Sequence, residues 1–243
     1  MKAVILAAGR GTRLAELTKE VPKPMVPIGG RPCLARIITA LHATGIGEIV
    51  IVTGYRADVI KAYFGDGAQM GVNITYVDQS VQSGTGSALH ITRETVGDSS
   101  FVMTYGDILV PEENYAQMAQ VFQKLRPQAL LGLNWVEDPY RGAAVYLAEN
   151  NRVAKIVEKP PQGTATTHWN NAGVFVFDPI IYQYTETLQL SPRGEYELPD
   201  AIQAMLQAGL AVYGYPLQGY WKDIGTPEDV RAAHRLVSDP NKN

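Results

Sequence analysis

Residues 2–14 have the sequence KAVILAAGRGTRL, an apolar run of strand length that passes directly into a glycine-rich turn. A strand that is buried on both faces of a parallel sheet has this continuous apolar pattern. Gly9 and Gly11 let backbone N–H groups approach a bound phosphate closely, and Arg10 and Arg13 add positive charge. The stretch therefore predicts a buried first strand followed by a loop suited to an anion.

Strand and helix patterns alternate after this loop, up to residue 105. Further strands are predicted at 48–53, 72–77 and 100–105, and helices at 32–45, 57–64 and 84–95. Such alternation is typical of a parallel sheet with right-handed crossovers. In an open sheet of this kind the ligand lies beyond the carboxyl ends of the strands.

The second half has a different pattern. Closely spaced strands are predicted at 130–136, 143–147, 153–157 and 172–177, which indicates antiparallel or mixed additions to the same sheet. Helices near 179–187 and 197–208, a strand at 210–215 and a helix from Pro227 complete the prediction. We expect the α/β class: a single doubly wound, Rossmann-like domain over residues 1–243, with a mixed, mainly parallel sheet.

Composition excludes several classes of protein. The chain has 243 residues, 46% of them apolar, with a formal net charge of −3, so it is neither mainly disordered nor broadly basic. No apolar stretch approaches the ~20 residues that span a bilayer. The single cysteine, Cys33, excludes an internal disulfide and a cysteine-based zinc site. We expect a soluble, cytoplasmic protein that binds neither nucleic acid nor a membrane.

The glycine loop fits no common phosphate-binding motif completely. A Walker P-loop requires Gly-Lys-Ser/Thr, and that triplet does not occur in the chain. A dinucleotide fingerprint requires a third glycine where this chain has Leu14. For the glycines alone, a plain βα turn with basic surface residues is an equal alternative.

The longer pattern is more specific. The string LAAGxGTRL, followed by PKPxxP at 22–27, resembles the signature of the sugar-phosphate nucleotidyltransferases. That family includes glucose-1-phosphate thymidylyltransferases and UTP-dependent sugar-1-phosphate uridylyltransferases. Further matches follow in the family's order at 79–88, 105–107, 156–160, 171–175, 194–200 and 221–226. The resemblance covers nearly the whole chain and implies the nucleotide-diphospho-sugar transferase type of fold.

The resemblance implies a nucleotide site on two loops. Its members are Leu6, Ala7, Ala8, Gly9, Gly11, Thr12, Gln79, Gly84 and Thr85. Arg13 would hold the leaving pyrophosphate and Lys23 would bridge the α-phosphate. Because a Gln amide carries a donor and an acceptor, Gln79 can bind the imide edge of uracil or thymine, which favours UTP or dTTP. Gln79 as an ordinary polar loop residue is the alternative, and another NTP stays open.

The remaining matches imply a metal and a sugar phosphate. Asp107 and Asp223 would share one Mg²⁺, which often takes one or two carboxylates plus phosphate oxygens. Arg13, Lys23 and Asp107 are thus the implied catalytic residues. Glu158 and Asn171 would bind sugar hydroxyls, Lys159 the sugar phosphate, and Gly142 would contact the sugar through its backbone. A plain turn explains Gly142 nearly as well.

The implied reaction transfers a nucleotidyl group from an NTP to a sugar 1-phosphate. Two alternatives are a phosphocholine-type cytidylyltransferase and a non-catalytic regulatory subunit that binds a nucleotide sugar. The chain ends shortly after 221–226, so we expect it to lack the left-handed β-helix and acetyltransferase activity of many relatives. A homo-oligomer is compatible with the sequence, which leaves the oligomeric state and the sugar open.

Overall fold

The computed structural model describes residues 1–238, without the side chains of Thr12, Ala15, Glu16 and Ser238. The strands are β1 (Lys2–Leu6), β2 (Pro27–Ile28), β3 (Arg31–Pro32), β4 (Glu48–Thr53), β5 (Asn73–Asp78), β6 (Phe101–Tyr105), β7 (Ile108–Leu109), β8 (Ala129–Trp135), β9 (Ala143–Leu147), β10 (Val153–Glu158), β11 (Trp169–Phe177), β12 (Val212–Pro216) and β13 (Lys222–Asp223). The helices are α1 (Cys33–Ala43), α2 (Ala57–Phe64), α3 (Thr85–His90), α4 (Arg93–Val96), α5 (Glu113–Leu125), α6 (Ile181–Glu186), α7 (Leu198–Gln207) and α8 (Pro227–Ser238).

The main sheet combines a parallel half with a largely antiparallel half. Its order is β10-β9-β11-β6-β1-β4-β5, and β8 pairs with both β11 and β12. Strands β5, β4, β1 and β6 are parallel, whereas β11 runs antiparallel to β6, β8 and β9. The predicted α/β fold with a mixed sheet is confirmed, including the change of pattern in the second half of the chain.

The sheet is covered on both faces, as the apolar strands require. On β1, Ile5 belongs to a core shared with Ile38 of α1, while Val4 belongs to a second core shared with Ile202 of α7. All four side chains are fully buried. Burying a large aliphatic side chain contributes about 1.5–3 kcal/mol, so burial on both faces strongly stabilises the central strands.

Some elements differ from the prediction. Helix α5 was not predicted, although Tyr115, Met118 and Phe122 are buried on it at helical spacing. The helix expected over 84–95 is two short helices, α3 and α4, because α3 ends at His90 and Thr92 precedes a new turn. Within residues 1–238, none of the helices is long and apolar enough to cross a membrane.

Candidate active site

Two adjoining cavities open at the edge where the parallel strands end. In the register of the sheet, Leu6 of β1 lies opposite Tyr105 of β6, so the segments that follow both strands start at the same edge. The first, here called the loop cavity, has a volume of about 400 Å³ and is lined by Leu6, Ala7, Ala8, Gly9, Lys23, Pro24, Gln79, Gln82, Gly84, Thr85, Ala88, Tyr105, Asp107 and Glu195.

The second cavity lies over the antiparallel half of the sheet. We call it the sheet cavity; its volume is about 420 Å³. Of the site residues predicted from the sequence, this cavity is lined by Arg13, Thr85, Gly142, Glu158, Lys159, Asn171 and Asp223. Thr85, Tyr105 and Glu195 line both cavities, so the two spaces are neighbours. Together they contain most of the residues that the motifs single out.

A lysine and two aspartates form the polar centre of the site. Lys23 Nζ contacts the carboxylate of Asp107 and lies 3.1 Å from Asp223 Oδ1. Burial of Lys23 favours its neutral amine, but the two carboxylates outweigh burial and raise the pKa of Lys23. Burial raises the pKa of Asp223, and the negative charge of Asp107 raises it further.

The short β7–β13 ribbon brings the two aspartates together. Asp223 pairs with Ile108 in antiparallel register, and the Ile224 N–H donates to Asp107 O at 2.9 Å. The Gly106 N–H donates to Leu6 O at 2.9 Å and ties this turn to the end of β1. Two residues far apart in sequence therefore lie at one point of the sheet edge.

The donor set suits a divalent cation that also binds substrate. Among residues 1–238, no group of three or more His, Cys, Asp or Glu side chains could hold a metal ion. Asp107, in the turn after β6, and Asp223, on β13, nevertheless already share one cation, the Lys23 ammonium. Mg²⁺ is often held by one or two carboxylates and substrate phosphates, so Asp107 and Asp223 fit such an ion.

The glycine loop shapes the space around Lys23. Gly11 has φ of +70°, and an added Cβ would lie 2.7 Å from Lys23 Cβ, so only glycine lets the lysine stem pack there. Arg13 is exposed and lines the sheet cavity near Asp223. Thr12 begins a short 3-10 helix, and its side chain lies outside the described part of the structure.

Gln79 lines the loop cavity, and its side-chain amide is held by hydrogen bonds. It is 7% exposed, and its Nε2 donates to Gly84 O at 3.2 Å and Ser87 Oγ at 3.0 Å. Gly84 has φ of +118°, and an added Cβ would lie 2.4 Å from Tyr196 O. The Leu198 N–H donates to Thr85 Oγ1 at 3.1 Å, at the start of α7. The amide oxygen of Gln79 is the part that remains to accept a hydrogen bond.

The sheet cavity holds the residues matched to the sugar phosphate. Burial raises the pKa of Glu158 to about 7, and the nearby charge of Glu197 acts in the same direction. Lys159 Nζ lies 3.7 Å from Glu158 Oε1, and the Lys159 N–H donates to Gly142 O at 2.7 Å. Asn171 Oδ1 accepts from the Gly173 N–H at 3.2 Å.

Several residues of the site were not singled out individually by the sequence. They are Gln82, Tyr105, Glu195 and Glu197, which line the cavities, and Arg193, which contacts a lining residue. Trp221 lines the sheet cavity, and its indole N–H donates to Ala172 O at 2.8 Å. Arg193 contacts Glu158 at 3.2 Å. The matched segment 194–200 was the available signal for three of them, because it contains Glu195 and Glu197 and directly follows Arg193.

The fold and the two cavities define an α/β protein that places a nucleotide-type loop beside a second polar pocket. The chain belongs to the nucleotidyl transferase family, whose model matches residues 2–239. The resemblance drawn from the sequence motifs is thereby confirmed. Proteins of this family act on an NTP and a sugar phosphate, and they generally use a divalent metal ion.

Individual relatives extend over nearly all of this chain. A low-salt glycan biosynthesis nucleotidyltransferase, Agl11, of Haloferax volcanii is 34% identical over 238 residues, and a glucose-1-phosphate thymidylyltransferase of Streptomyces griseus is 35% identical over 240 residues. Each match covers 98% of this chain but only 66% of the relative, so the chain spans slightly under two thirds of their length.

A solved structure has the same architecture. It is a Bacillus anthracis protein described as a glucose-1-phosphate thymidylyltransferase, in complex with sucrose. The two chains are 28% identical with a TM-score of 0.89, and the match covers 100% of this chain and 97% of the other. The fold assigned from the sequence therefore agrees with a solved member at the level of the whole sheet.

Proposed function

We propose that the chain is a sugar-1-phosphate nucleotidyltransferase that uses Mg²⁺ and prefers UTP or dTTP. A phosphate oxygen of the sugar 1-phosphate attacks the α-phosphorus of the NTP. The bond between the α-phosphorus and the oxygen that it shares with the β-phosphate breaks. The products are an NDP-sugar and pyrophosphate. The whole described chain acts as one domain in this proposal, with the loop cavity for the nucleotide and the sheet cavity for the sugar phosphate.

One observation carries the proposal. The Lys23–Asp107–Asp223 cluster lies where the two cavities adjoin, with Lys23 and Asp107 lining the loop cavity and Asp223 lining the sheet cavity. Phosphoryl transfer requires in-line positioning and charge neutralisation rather than a protein nucleophile. A cationic and carboxylate centre between two polar cavities supplies those two requirements.

Individual polar residues of the two cavities have separate roles in the proposed reaction. Lys23 binds an α-phosphate oxygen and offsets charge as the two phosphates approach. Arg13 lies beside Asp223 and stabilises the negative charge of the phosphates, including the leaving pyrophosphate. Lys159 binds the phosphate of the sugar, and Glu158 with Asn171 orients the sugar through hydrogen bonds to hydroxyls. Gly142 presents its backbone to the same cavity.

Asp107 and Asp223 would hold the magnesium ion. A bound Mg²⁺ neutralises phosphate charge and helps to align the reacting groups. The two carboxylates orient toward a common point, which Lys23 Nζ occupies in this structure. The remaining ligands would be phosphate oxygens and water, as Mg²⁺ sites with few carboxylates usually have.

The direct test is pyrophosphate release from a matrix of NTPs and sugar 1-phosphates with Mg²⁺. Rapid release with UTP or dTTP and at least one sugar 1-phosphate is the expected result, and the NDP-sugar would be identified by mass spectrometry. Transfer to phosphocholine from CTP would replace the proposal by a cytidylyltransferase. Silence across the matrix, with a nucleotide sugar still bound, would indicate a regulatory subunit.

A further inference from the structure

One segment of the chain touches both halves of the site. In residues 191–198, the Tyr196 N–H donates to Ser83 O at 2.7 Å and the Gly86 N–H donates to Tyr196 O at 2.8 Å. The turn is closed by the Ser191 N–H, which donates to Glu195 O at 2.9 Å. The backbone of this segment is therefore fixed to the loop that carries Gly84 and Thr85.

The side chain of Arg193 extends from this segment to two glutamates that line the sheet cavity. Arg193 Nη1 donates to Glu158 Oε1 at 3.2 Å and to Glu197 Oε1 at 2.9 Å. Glu197 is nearly fully buried and Glu158 is mostly buried, whereas Arg193 is partly exposed. The Arg193 guanidinium thus bridges the carboxylates of Glu158 and Glu197, which would otherwise repel each other.

We propose that Arg193 is a positioning residue, which fixes Glu158 as an ionised hydrogen-bond acceptor for a sugar hydroxyl. This inference rests on the proposed function, because Glu158 can accept a hydrogen bond from a sugar hydroxyl only if the chain binds a sugar. Arg193 acts through Glu158 rather than by touching the substrate. An ionised carboxylate accepts hydrogen bonds with both oxygens, whereas its protonated form carries a donor, so sugar binding depends on this charge.

The charges around Glu158 determine the direction of the effect. Burial and the negative charges of Glu197 and Asp200 raise the pKa of Glu158, whereas the positive charges of Lys159 and Arg193 lower it. Tyr105 also lies near the Glu158 carboxylate, and burial raises the pKa of its phenol, so it is neutral where Glu158 titrates. Loss of Arg193 removes a stabilising cation, so the pKa of Glu158 must rise above its present value of about 7.

Two substitutions should therefore move the pH dependence in opposite directions. Arg193→Gln should shift the acid limb of sugar-1-phosphate kcat/KM upward by about one pH unit, since a nearby opposite charge has effects of this size. Glu197→Gln removes a negative neighbour and keeps the shape of the side chain, so it should shift the limb downward. Arg193 would still pair with Glu158, at 3.2 Å, and with Glu195, at 3.6 Å. Arg193→Lys keeps the charge and should restore much of the wild-type profile.

The test measures sugar KM, NTP KM and kcat against pH in the full chain. The control is Arg93→Gln, because Arg93 pairs with Glu186 at 3.1 Å on the exposed surface. Ionisation of Glu158 is followed separately by ¹³C NMR of labelled glutamate carboxyls, with Glu158→Gln as the assignment variant. Opposite shifts in the two variants, with NTP KM unchanged, would support the positioning role.

Two results would overturn it. One is an unchanged NMR titration of Glu158 in Arg193→Gln; the other is a sugar KM that rises by the same factor at every pH. If Arg193→Gln does not fold, the Glu197→Gln shift decides alone. Failure of the proposed function is a different result, since the wild-type chain would then give no pyrophosphate with any substrate pair while the NMR titration could still show the effect of Arg193.

Discussion

Lys23 Nζ lies 3.1 Å from Asp223 Oδ1, and the same ammonium also contacts Asp107. The two carboxylates that the proposed function gives to Mg²⁺ are therefore neutralised by a side chain of the protein itself. An ammonium and a divalent cation repel each other and would compete for these oxygens. Binding of the metal should require Lys23 to leave them, and a phosphate oxygen of the NTP is the natural new partner.

The first prediction concerns this competition. Lys23→Met keeps a long side chain but removes the charge, so Mn²⁺ alone, without nucleotide, should bind several-fold more tightly than to the wild-type chain. Nucleotidyl transfer should nevertheless fall by about 10²-fold or more, because a charge at the phosphates is lost. Calorimetric titration and initial rates measure the two effects. Lys124→Met, on the exposed side of α5, is the control, and unchanged or weaker Mn²⁺ binding in Lys23→Met would contradict the competition.

The second prediction concerns the two aspartates as a pair. Asp107→Asn and Asp223→Asn keep the side-chain size, so the melting temperature should change little while turnover falls by orders of magnitude. The double variant should lose little more than either single variant, since both residues would serve one ion. Rates against magnesium concentration provide the measurement. Near-normal turnover of one single variant at limiting magnesium would remove that residue from the metal site.

The sequence predicted the parts of the fold that depend on continuous burial. Strand β1 and its parallel neighbours are apolar because both faces of the sheet are covered, and this pattern is local in sequence. Helix α5 was missed because its apolar positions are separated by polar and charged residues, so its pattern is visible only at helical spacing. The two-residue strands β7 and β13 have no recognisable pattern of their own, since their pairing is decided by the turn around Asp107.

For the site, too, features that are local in sequence were predicted and long-range contacts were not. Residues in short motifs, such as Asp107 and Glu158, were predicted because each motif is contiguous, and the structure places them at the cavities. Their functional roles stay predictions. The contact of Lys23 with both aspartates and that of Arg193 with Glu158 depend on long-range packing, so neither was predicted from the sequence. A motif names the groups, whereas the fold decides which of them are paired.

The third prediction concerns the choice of base. Because Gln79 Nε2 already donates to Gly84 O and Ser87 Oγ, its Oε1 is the group that can accept from the N3–H of uracil or thymine. Cytosine presents an acceptor at N3 and has no such proton. Gln79→Ala should lower kcat/KM for UTP or dTTP by about tenfold, since one hydrogen bond to the base is lost, and CTP should be affected less.

The ratio of kcat/KM for UTP to that for CTP, measured within each variant, cancels any general effect of the substitution on folding. A ratio in Gln79→Ala equal to that of the wild-type chain would remove Gln79 from base selection. Its hydrogen bonds to Gly84 and Ser87 would then be its whole role, as a polar residue that holds the loop.

The last prediction concerns the close approach of Gly142 to Asn170. An added Cβ at Gly142 would lie 2.1 Å from Asn170 Oδ1, well inside contact distance, so Asn170 would have to move. Asn170 is 5% exposed, and its Nδ2 donates to Asn134 Oδ1 and Asn171 O, both at 2.9 Å. Displacing it would leave buried polar groups unpaired, at a cost of about 1–3 kcal/mol, beside a residue proposed to bind the sugar.

Gly142→Ala should therefore lower the melting temperature and raise the sugar-1-phosphate KM, while the NTP KM stays unchanged. Gly47→Ala is the matched control, because an added Cβ there meets no atom within 4 Å. In an Asn170→Ala background the Asn170 atoms that the added Cβ would meet are absent. Adding Gly142→Ala there should therefore lower the melting temperature much less than it does in the wild-type chain. Equal losses in the two backgrounds, measured by thermal unfolding and by KM, would mean that Gly142 is required for its turn rather than for the space that Asn170 fills.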